Sequence, residues 1–171
     1  MKTFKQFMTE MPYNVKVSQY DNRTMKLKKQ MGRKNELISS TPTHKIYRVS
    51  SKKNCHGFRV SDHHDNVHLD ISGFGDKQKN KFEVDMVSGY KDRSIKYHHA
   101  IHHLITQGHV KHWKSSSDHS LGSKKTYGEL VKYPDLHVVH VDHRTGGSTT
   151  ATADNINKFY GRSGHFEVTK K

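Results

Sequence analysis

The sequence predicts an α/β fold of the α+β kind. A mixed sheet begins as an antiparallel meander, passes through a strand–turn–helix–strand–helix unit, and is preceded by a basic N-terminal arm. Three observations carry this. Short stretches between Ile46 and Ile71 place apolar residues on alternate positions, the period of a half-buried strand. Residues 82–130 then change period from two to that of a helix and back. Positive charge is concentrated ahead of both: residues 11–53 hold eleven Lys or Arg against Asp21 and Glu36.

The elements follow in chain order. Phe4, Phe7, Met8 and Met11 share one helical face, and Pro12 stops that helix. Residues 11–42 are basic and poor in large aliphatics, with Lys26, Lys28, Lys29, Arg33 and Lys34 clustered, and Ser39-Ser40-Thr41-Pro42 reads as a linker. Such an arm would contact nucleic acid by neutralising phosphates and would carry no base code. A domain over 43–171 follows. Ile46-Tyr47-x-Val49, Phe58-x-Val60 and Val67-x-Leu69-x-Ile71 are three strands, the second and third joined by a turn at Asp62–Asn66.

Phe82, Val84 and Met86 alternate with Glu83 and Asp85 as a fourth strand, and Ser88-Gly89 ends it. Tyr97, Ile101, Leu104 and Ile105 make a helix stripe closed by Gly108. Val110–Trp113 is a short strand, and a second helix carries Tyr127, Leu130 and Val131. Leu136–Val141 is a strand, 144–152 a flexible loop, and Phe166 and Val168 mark a last short strand.

Composition narrows the function. The 171 residues are 31% hydrophobic, with formal charge +14 and pI near 9.8. That balance favours a polyanionic partner, nucleic acid first. Cys55 is the sole cysteine, which excludes a disulfide framework and a cysteine-rich metal site. No apolar run approaches the ~20 residues that span a bilayer, so no membrane partner is expected.

The order of elements over 43–171 resembles the acetyltransferases of the GNAT superfamily. In that family the central strand ends in a turn of the form Arg/Gln-x-x-Gly-x-Gly/Ala, whose backbone N–H groups hold the pyrophosphate of acetyl-CoA. Tyr90–Lys96 occupies that turn here: Lys91 stands at the first position, Ile95 at the hydrophobic one, and Ser94 and Lys96 replace the two small residues. The resemblance implies a cofactor site at Lys91, Arg93, Ser94, Ile95 and Lys96, with Asp92 setting a negative charge where phosphates would lie. Ser117-Asp118 and Ser120–Ser123 resemble the segment after the first helix in GNAT-like proteins of tailed phages. It further implies parallel strands at 82–87 and 110–114 that splay around a groove. An active enzyme would take acetyl-CoA, use Glu83 or Asp85 to deprotonate an amine, and use Tyr127 as the acid for the thiolate. A turn overwritten in this way is expected to hold no cofactor.

The first ten residues, MKTFKQFMTE, resemble the capsid-targeting leader of internal head proteins in T-even-type tailed bacteriophages. Their prohead protease cuts after a hydrophobic-x-Glu tripeptide, and Met8-Thr9-Glu10 has that form. The resemblance implies a virion protein in the head interior, partnered by phage DNA and capsid or prohead proteins, and ejected into the host cytoplasm to meet a host protein.

Sixteen histidines complete the inventory. His98 and His102, and His99 with His103, stand four apart on the helix and could each grip a metal, although solvated histidines are the simpler expectation. Collectively they would add positive charge toward pH 6 and strengthen polyanion binding. His143, Asn157 and His165 resemble the His-Asn-His nuclease motif, in which one histidine activates water and the other ligates a metal at the scissile phosphate. Gly161, Gly164 and the strand-like Phe166-Glu167-Val168 interrupt the helix such a motif needs.

Overall fold

The first strand lies inside the stretch expected to be arm. The structure, a computed structural model, describes residues 34–50, 55–76, 80–89, 95–117 and 121–171. Within them, β1 (Lys34–Ser40) pairs antiparallel with β2 (Lys45–Ser50), so the sheet is already under way twelve residues before Ile46, where the apolar pattern begins. The reason is local. β1 is an edge strand held by its backbone partner, with Leu37 exposed and a register shift between Leu37 and Ser39, and it therefore lacks a clean alternation.

β3 (Cys55–Ser61), β4 (Val67–Asp76) and β5 (Lys81–Gly89) continue the meander. Helix α1 (Tyr97–Thr106) leads to β6 (His112–Lys114), and α2 (Leu121–Leu130) leads to β7 (Leu136–Asp142). The expected loop at 144–152 contains a short strand, β8 (Ser148–Thr150), and β9 (Gly164–Lys170) follows a single 3₁₀ turn at Ile156–Phe159. The sheet order is β1-β2-β3-β4-β5-β6-β9-β7-β8. Only β5 and β6 are parallel among the paired strands described. The described residues thus form an α+β fold with a nine-stranded, mostly antiparallel sheet and two helices. No helix among the described residues is long and apolar enough to cross a membrane.

One face of the sheet forms the core. Ile46, Phe58, Val60, Leu69, Ile71, Phe82, Trp113, Val138, Phe166 and Val168 point the same way by strand alternation and pack against Ala100, Ile101, Leu104 and Ile105 of α1 and Tyr127 and Leu130 of α2. Each large side chain so buried contributes about 1.5–3 kcal/mol. The centre is aromatic: Phe82 lies 5.0 Å from both Phe58 and Trp113, and Tyr127 stacks on Phe166 at 4.9 Å. Gly73 makes room for this. A Cβ there would sit 2.1 Å from the Glu83 carbonyl oxygen and 2.8 Å from the Phe82 ring, at the point where the β4–β5 register shifts.

α1 ends as the sequence predicts. Gly108 adopts φ +77°; its N–H donates to the Ile105 carbonyl at 3.1 Å, and the His109 N–H donates to the Leu104 carbonyl at 2.9 Å. These two bonds are a Schellman motif, which satisfies carbonyls the helix leaves open.

On the opposite face, Arg59 and Asp70 are register partners on β3 and β4 and form an ion pair, Nε to Oδ1 2.7 Å, with side chains only 4% and 6% exposed. Breaking one half of such a pair strands a charge in a dry site. Asp70→Ala should therefore lower the unfolding free energy in urea by about 3–5 kcal/mol, whereas replacing both partners, Arg59→Met with Asp70→Leu, should recover most of that loss. A single substitution as mild as the double one would show that the pair is not isolated from water.

Candidate functional site

The candidate site is the fork between β5 and β6. These strands pair only at Lys81–His112, Phe82–Trp113 and Glu83–Lys114, although β5 runs on to Gly89. β6 leaves because β9 holds it: the Ser115 N–H donates to the Phe166 carbonyl at 2.8 Å, and the Phe166 N–H donates back to Ser115 Oγ at 2.8 Å. Beyond Lys114 the chain stays bonded to its antiparallel neighbour through Ser115, and the remaining six residues of β5 have no pairing with β6.

Glu83 sits at the last paired position. It points away from the core, and its Oε2 accepts a hydrogen bond from Lys114 Nζ at 3.1 Å across the crotch of the fork. Asp85 follows two residues on, exposed, beyond the pairing. Tyr127 lies on the other side, fully inside the core, where its hydroxyl accepts from Trp113 Nε1 at 3.2 Å. Burial pushes that hydroxyl up to about 12, despite its hydrogen bonds with Trp113, Ser115 and Tyr97. The sheet thus separates Glu83 from Tyr127.

Of the expected cofactor residues, Ile95 is buried in the core and Lys96 is exposed at the N-terminal end of α1. Lys96 precedes the helix in extended conformation and makes no side-chain cap. Lys91, Arg93 and Ser94 lie outside the described residues, as do Met8, Glu10, Lys26, Lys28, Lys29 and Arg33; Lys34 opens β1.

Two of the helix histidines have partners elsewhere in the fold. His102 Nε2 meets the Asp135 carboxylate at 2.9 Å, and its ring stacks on Tyr133 at 4.2 Å. His103 Nε2 meets Ser39 Oγ at 2.7 Å, across the domain on β1. Among the described residues, no three His, Cys, Asp or Glu groups converge in a way that could hold a metal ion.

Of the nuclease candidates, the two histidines meet and Asn157 stands apart. His143 and His165 do meet, Nε2 to Nδ1 2.7 Å, but His165 belongs to strand β9, where it pairs with Val141. Asn157 sits exposed in the four-residue 3₁₀ turn. The motif calls for a helix carrying the second histidine, whereas His165 stands on strand β9.

A feature absent from the sequence reading replaces it. His165 Nε2 donates to Glu167 Oε1 at 3.0 Å, and Glu167 Oε2 accepts from His112 Nε2 at 3.0 Å. A chain His143–His165–Glu167–His112 therefore crosses the outer face of β9 and β6. Burial raises the Glu167 carboxyl, but its bonds to His165 and His112 outweigh burial and hold it below the usual range. Alternation along β9 puts residues 165 and 167 on one face, a signal legible in sequence. Their meeting with His112 and His143 depends on the order β6-β9-β7, which is not.

Compared with family models, curated proteins and solved structures, the chain matches none.

Six of the described histidines resist charging near pH 6. His44, His98, His99, His103, His109 and His140 are all held below their ordinary 6.5, in each case first by burial, and His98 is pushed down to about 4. They stay neutral when the unfolded chain takes up protons, so the unfolded state binds more protons below 6.5. Stability from these groups is complete above about pH 6.5 and declines as pH falls toward the folded values. The melting temperature should therefore drop between pH 6.5 and pH 5, before carboxylates titrate, and His98→Gln should flatten part of that drop. A melting temperature constant over this window would contradict the assignment.

Proposed function

We propose that the chain is an internal head protein of a tailed bacteriophage, built on a GNAT-like domain that keeps the fold of the acetyltransferases without acyl transfer. The parallel β5/β6 pair joined by α1, parted after Glu83 and Lys114, is the arrangement the GNAT resemblance implies and supports that scaffold. The observation that carries the loss of catalysis is Tyr127. A general acid must reach the departing thiolate with a proton it can release. This hydroxyl is closed in the core against Trp113, and its proton is held more tightly than a free tyrosine's. Glu83 is half exposed and paired with Lys114.

What remains is charge. The chain carries +14, most of it ahead of residue 54, and packaged DNA is a polyanion whose phosphates such a surface neutralises without reading sequence. After ejection the rigid domain would meet a host protein in the cytoplasm. Purified virions analysed by mass spectrometry should contain the chain beginning at Met11, cut after Glu10; particles lacking it, or holding it uncut, would sink the head-protein proposal.

The parted strands also favour a second reading, an active N-acetyltransferase that binds acetyl-CoA in the fork. Acetyl-CoA at millimolar concentration should leave the melting temperature unchanged if the site has been overwritten. Binding with Kd a hundredfold below the ligand concentration would instead stabilise the fold by about 2.7 kcal/mol, a shift of several degrees.

A further inference from the structure

The outer face of the sheet is buried over β2, β3 and β4, where no described element covers it. Strand register places Val49, Gly57, Ser72 and Met86 in one row across β2–β5. Leu37, Tyr47, Arg59 and Asp70 form the next row across β1–β4. Both rows face away from α1 and α2, because the alternate positions Ile46, Phe58 and Ile71 enter the inner core. Exposure changes sharply along them. Leu37 is 53% exposed and Met86 48%, whereas Val49 is 1% exposed, Arg59 3% and Asp70 5%.

Neighbours within the sheet do not account for this burial. The cross-strand partner of Val49 is Gly57, which has no side chain to shield it. An arginine on an open sheet face extends its guanidinium to water. Arg59 instead has Nη1 and Nη2 closed off from water without a hydrogen bond, and so has Oδ2 of Asp70. Such burial requires a layer over β2, β3 and β4 that stops short of Leu37 and Met86. Three strands span two spacings of about 4.8 Å each, close to the diameter of one helix, about 10–12 Å. The two helices and the 3₁₀ turn are committed to the inner core. Outside the described residues, the stretches 51–54, 77–79, 90–94 and 118–120 are short and tied at both ends to neighbouring elements. Residues 1–33 are long enough to cross three strands, and they join the sheet at Lys34, whose register partner Ser50 is next to Val49.

We propose that this face is the docking site for the chain's own residues 1–33, with the apolar helical face of Phe4, Phe7, Met8 and Met11 laid along β2–β4 over Val49. Phenylalanine and methionine fill the irregular surface that a valine leaves beside a bare glycine. Residues 12–33 leave ample chain between this cover and Lys34. A cut after Glu10 would take away Phe4, Phe7 and Met8 and bare the face. That consequence rests on the head-protein reading, whereas the docking does not.

Thiol labelling of the full chain tests this. Cys55, the sole native cysteine, is removed by Cys55→Ser, and single cysteines are placed in one row by Val49→Cys or Met86→Cys. A maleimide should modify Val49→Cys at least about tenfold more slowly than Met86→Cys. Adding Phe4→Asp with Phe7→Asp should bring the Val49→Cys rate close to that of Met86→Cys, while Lys28→Gln should leave it slow. Trp113 lies in the inner core, so its emission should stay blue-shifted throughout and certify an intact sheet. Were the double change to disturb that emission, Phe7→Ala carries the comparison. Equal rates for the two cysteines in the otherwise intact chain would show that nothing covers the face. Protection that survives the changes at Phe4 and Phe7, or that fades on dilution as a second copy's would, assigns the cover elsewhere; any of these results overturns the proposal. No virion enters the measurement, so its failure leaves the head-protein reading standing.

Discussion

The fold depends on three residues, His112, Trp113 and Lys114, because β6 is the one strand that joins the meander to the C-terminal hairpin. On one side it pairs in parallel with β5, and on the other it pairs antiparallel with β9. A ladder three residues long is weak alone. Trp113 compensates by being fully buried between Phe82, Phe58 and Tyr97, with its indole N–H satisfied by Tyr127. A buried tryptophan that keeps its hydrogen bond combines the largest apolar burial with no polar penalty. The same residue that closes the core takes up the Tyr127 hydroxyl.

The two faces of the sheet follow different physics. The inner face is apolar and carries the stability. The outer face carries its polar groups in pairs: Glu83 with Lys114, Glu167 with His112 and His165, Arg59 with Asp70. The exposed pairs contribute little, since water screens them. Arg59 and Asp70 differ because both are buried, so each is tolerated only while the other remains. Strand alternation sorts the residues between the faces, and it also keeps Glu83 and Tyr127 apart.

Much of the element plan was legible along the chain. Alternation at Phe82–Met86 and at Leu136–Val141, the stripe Ile101, Leu104 and Ile105, and the stop at Gly108 all correspond to elements near their expected bounds. β1 and β8 were not legible. Both are edge strands, stabilised by a neighbour's backbone rather than by a buried stripe of their own. The partners of the helix histidines were not legible for a related reason: His102 turns to Asp135 and His103 to Ser39, residues far away in sequence.

Sequence by itself determined the charge, the succession of strands and helices, and which residues share a face, because these rest on composition and on periods of two and 3.6 residues. Tertiary structure alone decided that β9 inserts between β6 and β7. That choice parts β6 from β5 to form the fork, links His112 to His165 through Glu167, and closes Tyr127 against Trp113. Contacts of this kind arise from which strands become neighbours, and no local spacing encodes that.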